Sequence, residues 1–213
     1  MLIRKGFTLV ELLTVTAVIG LLMGIMLPVL GRARLLAKVT VTNSDLRQIA
    51  IALEAYGMDH DNKFPPVRWD CGNKDNFYQL PRELSKGGYL GEGDSSRGVS
   101  ANIIDRFNPP YTYKYMAPGP QFGNNDMPFD NLLLYVPDGF PHNERDSGQF
   151  YDDPRQSPVT WVVFSIGPHY DSHTLRQDNY PVPSKTWFDP DRRRGVVTRI
   201  RLKNAVHVGS FEQ

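Results

Sequence analysis

The sequence predicts an α+β chain. A long N-terminal helix, with a transmembrane half and an amphipathic half, packs on a small antiparallel β-sheet head. Three observations carry this. Residues 7–30 hold one charge among 24 residues, Glu11. Apolar residues then recur at helical spacing as far as Tyr56. Beyond Pro65-Pro66 short β-rich runs alternate with turn residues, the chain holding 17 Pro and 18 Gly.

The first segment is long enough to cross a membrane. At ~1.5 Å per residue it covers ~36 Å, against a hydrocarbon core of ~30 Å. Arg4-Lys5 precede it as in a signal peptide, yet a secretory signal is cut at small residues after its apolar run. Here the small residue, Gly6, stands before the run. An acid at the centre of a membrane helix costs ~2.5–3.5 kcal/mol on insertion scales, less near an end, so Glu11 calls for a partner. Cleavage after Gly6 would create an ammonium group on Phe7, ~6 Å along the axis from Glu11. A neighbouring chain shifted by that distance would set its ammonium against this carboxylate. Gly20-x-x-x-Gly24 permits close helix approach, although small residues also fall in apolar runs by chance. Pro28 removes a donor and presses on the Gly24 carbonyl, which predicts a bend or local unwinding between Gly20 and Pro28.

Past the span the helix continues. Leu35, Leu36, Val39, Leu46, Ile49, Ala50, Leu53 and Tyr56 make one face, with Arg34, Lys38, Asn43, Arg47 and Glu54 largely elsewhere. Gly57, the polar cluster Asp59-His60-Asp61-Asn62 and Pro65-Pro66 end it near Met58. A short helix is expected within 80–90, with Gly87-Gly88 near its end. Alternation of Tyr111, Tyr113 and Tyr115 with Thr112 and Lys114 predicts a half-buried strand. Residues 132–136 and 159–166 read as stronger strands, and 195–202 as a less regular one.

The run Lys5-Gly6-Phe7-Thr8-Leu9-Val10-Glu11-Leu12 resembles the class III signal of type IV pilins and type II secretion pseudopilins. The resemblance covers about the first sixty residues well and the rest loosely. It implies a pilin-like fold with a leader at 1–6, an assembly helix at 7–30, its amphipathic continuation at 31–59 and a periplasmic head at 60–213. It implies cleavage after Gly6 and N-methylation of Phe7 by a prepilin peptidase, with Glu11, Gly20 and Pro28 as assembly positions. The implied role is a pseudopilin that polymerises, through its N-terminal helices, into the periplasmic filament of type II secretion. Its partners would be copies of itself, other pseudopilins, and an inner-membrane platform with its ATPase. The alternative is a type IV pilin of a surface fibre for adhesion, motility or DNA uptake, or an anchored periplasmic enzyme or binding protein. Basic residues on both sides of the span leave orientation open, and the resemblance places the leader in the cytoplasm.

Charge and cysteine content narrow the classes. Setting aside Arg4, Lys5 and Glu11 leaves 22 basic and 22 acidic residues, which gives no argument for nucleic acid as a partner. Cys71 is the one cysteine, so no intrachain disulfide forms and no signature marks a reactive thiol. His169 and His173 have zinc spacing but follow Pro168 in a polar stretch, where solvated loop histidines are the default. No nucleophile elbow or phosphate loop appears, so no enzyme is expected. Arg192-Arg193-Arg194 reads as a solvated run. The pseudopilin resemblance implies calcium in a C-terminal loop, with Asp171 and Asp178 as ligands; Ser165-Ile166-Gly167-Pro168 would open that loop, and Asp189 and Asp191 follow. The glycine-rich acidic pattern of the family is replaced there by His173, Arg176 and the arginine run.

Overall fold

The computed structural model describes residues 8–68, 79–94, 99–119, 121–122, 128–129, 155, 157–168 and 187–211. The chain divides into two units, Met1–Lys38 and Val39–Gln213. Helix α1 covers Leu9–Asp59, as the periodicity predicts.

The first unit is helical wherever it is described, and its large apolar side chains are exposed from Leu9 to Leu30. A helix bonds its backbone groups internally, which is what an apolar surround requires. The hydroxyls of Thr14 and Thr16 donate to the carbonyls of Glu11 and Leu13, both at 3.0 Å, so these polar side chains are also satisfied within the helix. The expected unwinding at Pro28 is absent: Pro28 lies inside an unbroken helix. Proline removes a single donor, and the turns on either side keep their own bonds. Unwinding a whole turn would strip several more groups of partners, and a lone helix offers no replacements.

In the second unit α1 buries Val39, Thr42, Leu46, Ile49, Ala50, Ala52, Leu53 and Gly57. Thr42, at a position the sequence gives only as a β-branched patch, is fully buried. The helix ends through Gly57, whose carbonyl accepts from His60 N–H at 3.3 Å and Asn62 N–H at 2.8 Å. Asp61 and Asn62 take φ of 54° and 58°, the left-handed region that Asp and Asn enter at least cost among residues with a Cβ. The Tyr56 ring stacks on His60 at 3.8 Å, and Tyr89 donates to Asp59 at 2.7 Å, tying the helix end to the head.

The main sheet has strand order β2-β5-β6-β7, formed by Lys114–Met116, Val159–Ser165, Val197–Leu202 and His207–Gly209. All its pairings are antiparallel. A smaller sheet of two-residue strands joins β1 (Val67–Arg68), β3 (Gln121–Phe122) and β4 (Pro128–Phe129). Helix α2 is Arg82–Lys86, capped by Gly87, inside the expected 80–90 stretch. Strand β5, read from the sequence as a stronger strand, is buried along nearly its whole length, its apolar centre Trp161-Val162-Val163-Phe164 being covered on both faces. The half-buried reading of the tyrosine stretch is corrected. Tyr113 and Tyr115 are fully buried, but so are Thr112 and nearly all of Lys114, so both faces are covered. Tyr113 donates to Asp45 at 2.7 Å and Tyr115 to the Pro65 carbonyl at 2.8 Å, so buried hydroxyls find partners on and after the helix. The strand expected at 132–136 lies outside the described residues.

One polar contact locks helix to sheet. Arg201 of β6 meets Glu54 at 2.7 Å, His207 of β7 lies 3.4 Å from the same carboxylate oxygen, and Arg201 stacks over Phe64. Glu54 therefore belongs to the helix–sheet contact rather than to a solvated face.

Candidate assembly interface

The start of α1 is built by Thr8 and Glu11. Thr8 N–H donates to Glu11 Oε2 at 2.8 Å, and Glu11 N–H donates to Thr8 Oγ1 at 3.3 Å. This is a reciprocal capping box, which satisfies two of the backbone donors a helix start leaves open. The Thr8 hydroxyl also donates to Glu11 Oε2 at 2.7 Å. The acid of the apolar run thus has partners within its own chain. The signal was legible: Thr-x-x-Glu ahead of an apolar run is the sequence form of this box, and reading Glu11 only as a partner for an amine misses it.

Gly6 and Phe7 lie outside the described residues. Gly20 and Gly24 are described, and a Cβ built on either meets nothing within 4 Å, so both leave open backbone on the surface. Such surfaces let a second helix approach closely.

The calcium reading is not tested by the described residues. Asp171 and Asp178 lie outside them, as do His169, His173 and Cys71. Asp189 is described, and its carboxylate is committed to its own turn: it accepts from Asp191 N–H at 2.8 Å and Arg192 N–H at 3.1 Å and pairs with the Arg192 side chain. Those backbone N–H groups hold its carboxyl below the ordinary range. Among the described residues no group of three His, Cys, Asp or Glu side chains could hold a metal ion.

Where β5 ends and the C-terminal loop begins lies a buried carboxyl group that sequence reading passes over, Asp105. Asp105 Oδ1 accepts from Ser165 Oγ at 2.6 Å and Phe107 N–H at 2.9 Å, and Oδ2 from Ile166 N–H at 3.4 Å. Ser165 Oγ in turn accepts from Gly167 N–H at 3.1 Å. Asp105 pins the end of β5 to the loop that carries it.

Residues 1–27 match the family model described as a prokaryotic N-terminal methylation motif. The chain is 29% identical over 152 residues to the type II secretion system core protein G of Pseudomonas aeruginosa, spanning 69% of this chain and 95% of that protein. The chain is a homologue of a type II secretion pseudopilin. No solved structure matches it significantly. Among the described residues α1 is the one helix long and apolar enough to cross a membrane. That helix and the pseudopilin homology together support an inner-membrane anchor and a periplasmic head.

Proposed function

We propose that this chain is a subunit of the periplasmic filament of type II secretion. A prepilin peptidase removes residues 1–6 and methylates Phe7. An ATPase and its platform protein lift the subunit from the inner membrane, and other pseudopilins share the filament. Glu11 sets the stagger by meeting the Phe7 amine of a neighbouring copy. Gly20 and Gly24 let helices close on one another, and Pro28 lies where the helix can yield when packed. The observation that carries this reading is a capped carboxylate, Glu11, inside an exposed apolar helix whose sequence matches the methylation motif. Intact-mass spectrometry of protein from its own cells is expected to find an N-methylated Phe7. Protein beginning at Met1, or an unmethylated Phe7, would overturn the reading.

Calcium at Asp171 or Asp178 is proposed from the family resemblance alone. If an ion is held there, a chelator lowers the melting temperature of the purified chain and added calcium restores it. Each tenfold excess of ion over its dissociation constant adds about 1.4 kcal/mol, so at a hundredfold excess the loss is about 2.7 kcal/mol. An unchanged melting curve removes the ion.

A further inference from the structure

The contact between α1 and the main sheet holds a titratable ring that assembly does not use. In the register of that sheet Trp161 lies opposite Arg201, and Arg201 opposite His207, so one cross-strand row runs over β5, β6 and β7. Arg199 stands two residues before Arg201 and therefore on the same face of β6. Glu54 of α1 meets this face. His207 sits among these groups. Its ring meets Trp161 edge to face, with centroids 5.3 Å apart. Nε2 lies 3.4 Å from Glu54 Oε1, and Nδ1 lies 3.5 Å from Arg199 Nη1.

These two neighbours fix the state of the ring. A guanidinium has donors and no acceptor, so the Nδ1 that faces Arg199 must offer its lone pair. A carboxylate only accepts, so the Nε2 that faces Glu54 must carry the proton. The neutral Nε2–H imidazole satisfies both. An imidazolium carries N–H on both nitrogens and turns one of them against the Arg199 donor. Charge agrees with geometry. Arg201 already lies 2.7 Å from Glu54, so a protonated His207 adds a third cation, beside Arg199 and Arg201, to one carboxylate. Among the described residues the charged groups that face the ring are Glu54 from α1 and Arg199 and Arg201 from β6; β5 presents uncharged Trp161. Burial above all, aided by the charges of Arg199 and Arg201, pushes the ring below its ordinary value against the pull of Glu54.

Arg199 couples the ring to the chain that follows it. Its guanidinium lies over the Phe211 ring at 3.8 Å, so His207 and Phe211 hold it from two sides. Next to it, Thr198 N–H donates to Ser210 Oγ at 3.0 Å, and Ser210 N–H donates to the Thr198 carbonyl at 3.1 Å. Residues 207–211 are thus strapped along β6, with β7 as an edge strand of the sheet. The His207 side chain keeps 26% of its surface exposed, so a proton reaches it from water without unfolding.

We propose that His207 makes the contact between α1 and the strap 207–211 an acid-released latch, closed on Glu54 and Arg199 while the ring is neutral and opened when it gains a proton. The latch belongs to the head alone and stands whether or not the chain polymerises. A ring that holds its proton less tightly folded than unfolded contributes stability that is complete above the unfolded histidine value of ~6.5. That stability is lost as pH falls below this value and through the lowered folded one.

The test uses the full chain in detergent micelles. Nitrogen-15 NMR of the histidine rings is expected to show one ring, missing from His207→Gln, that is the Nε2–H tautomer at neutral pH and titrates below ~6.5. In urea the parent is expected to lose stability relative to His207→Gln between about pH 7 and about pH 5, by at least about threefold in the folded-to-unfolded ratio. Glutamine offers Arg199 an acceptor and Glu54 a donor but takes up no proton. Hydrogen-exchange protection of the amides of 207–211, corrected for the intrinsic rate, is expected to fall over the same range in the parent and to hold in the variant. A ring with a merely structural role would not move that protection. An Nδ1–H tautomer, a titration above ~6.5, or strap protection that ignores the titration overturns the latch. Acid that strengthens the contact overturns it too, because Glu54 would then outweigh burial and the two arginines. If His207→Gln does not fold, the ring is assigned through its contact with Trp161, and the tautomer, titration and strap protection of the parent decide.

Discussion

Glu11→Ala is expected to lose its leader as the parent does and to give filaments reduced on the order of a hundredfold. Two separate losses are involved. The first is the capping box with Thr8, whose removal costs a helix start about 0.5–2 kcal/mol. The second is the anionic partner for the Phe7 amine of a neighbour. Leaving one member of a buried charge pair uncompensated costs about 3–5 kcal/mol, and each 1.4 kcal/mol is tenfold in an equilibrium. The charge therefore outweighs the cap. Glu11→Gln separates them, because glutamine completes the same box with Thr8 but carries no charge. Glutamine is expected to assemble nearly as poorly as alanine, while Thr8→Ala, which weakens the cap and keeps the charge, loses less. Filament yield in the sheared fraction, read beside the N-terminal mass of each variant, decides it. If Glu11→Gln polymerises like the parent, the cap is what assembly needs and the pairing with Phe7 is wrong.

Legibility in the sequence followed the range of the interactions involved. Helix α1 could be read to within two residues at its start and one at its end, because its bonds are local and its apolar period is unbroken. Strand β5 was legible because a central strand covered on both faces needs an apolar, β-branched and aromatic run, which Trp161-Val162-Val163-Phe164 supplies between Val159 and Ile166. The same covering made the tyrosine stretch misleading. Alternation signals a solvated face only when polar residues reach water, and here Thr112 accepts from Leu80 N–H at 3.2 Å while Lys114 is nearly buried. Strand β7 was missed because three residues, His207, Val208 and Gly209, carry no period; their place follows from pairing with β6. The place of Glu54 in the helix–sheet contact was not legible because its partners Arg201 and His207 are far along the chain. At the helix start the reverse held. Thr8 and Glu11 are three residues apart, so the box was written in the sequence. The amine pairing concerns a second chain, which one chain's sequence periodicity does not show.

Asp105→Ala is expected to be the most damaging single change in the head, costing about 3–5 kcal/mol. Alanine would strand the Ser165 hydroxyl and the Phe107 and Ile166 N–H groups in a buried site, with Lys114 nearby and mostly out of water. At about 2–4 °C per kcal/mol for a chain of this size, the melting temperature falls by on the order of 10 °C. Asp105→Asn should cost far less. Its amide oxygen can keep the two shorter bonds at Oδ1, and only the 3.4 Å contact with Ile166 is spoiled. The pair also makes a pH prediction. Burial raises the Asp105 carboxyl above its ordinary value, against the hydrogen bonds from Ser165, Phe107 and Ile166 and the charge of Lys114. A carboxyl raised in the fold binds its proton more tightly folded than unfolded. Its stabilising contribution is complete below the unfolded carboxyl pKa of ~3.9 and is lost as pH rises through the raised folded value. The asparagine variant has no such proton. The parent should therefore lose stability relative to Asp105→Asn as pH rises from about 4 toward neutrality. Chemical denaturation of the two chains across that range measures the difference directly. A gap that moves the other way would mean the hydrogen bonds and Lys114 outweigh burial, and that Asp105 is held as a carboxylate. A cost below about 1 kcal/mol for alanine would mean that the β5 exit does not depend on it.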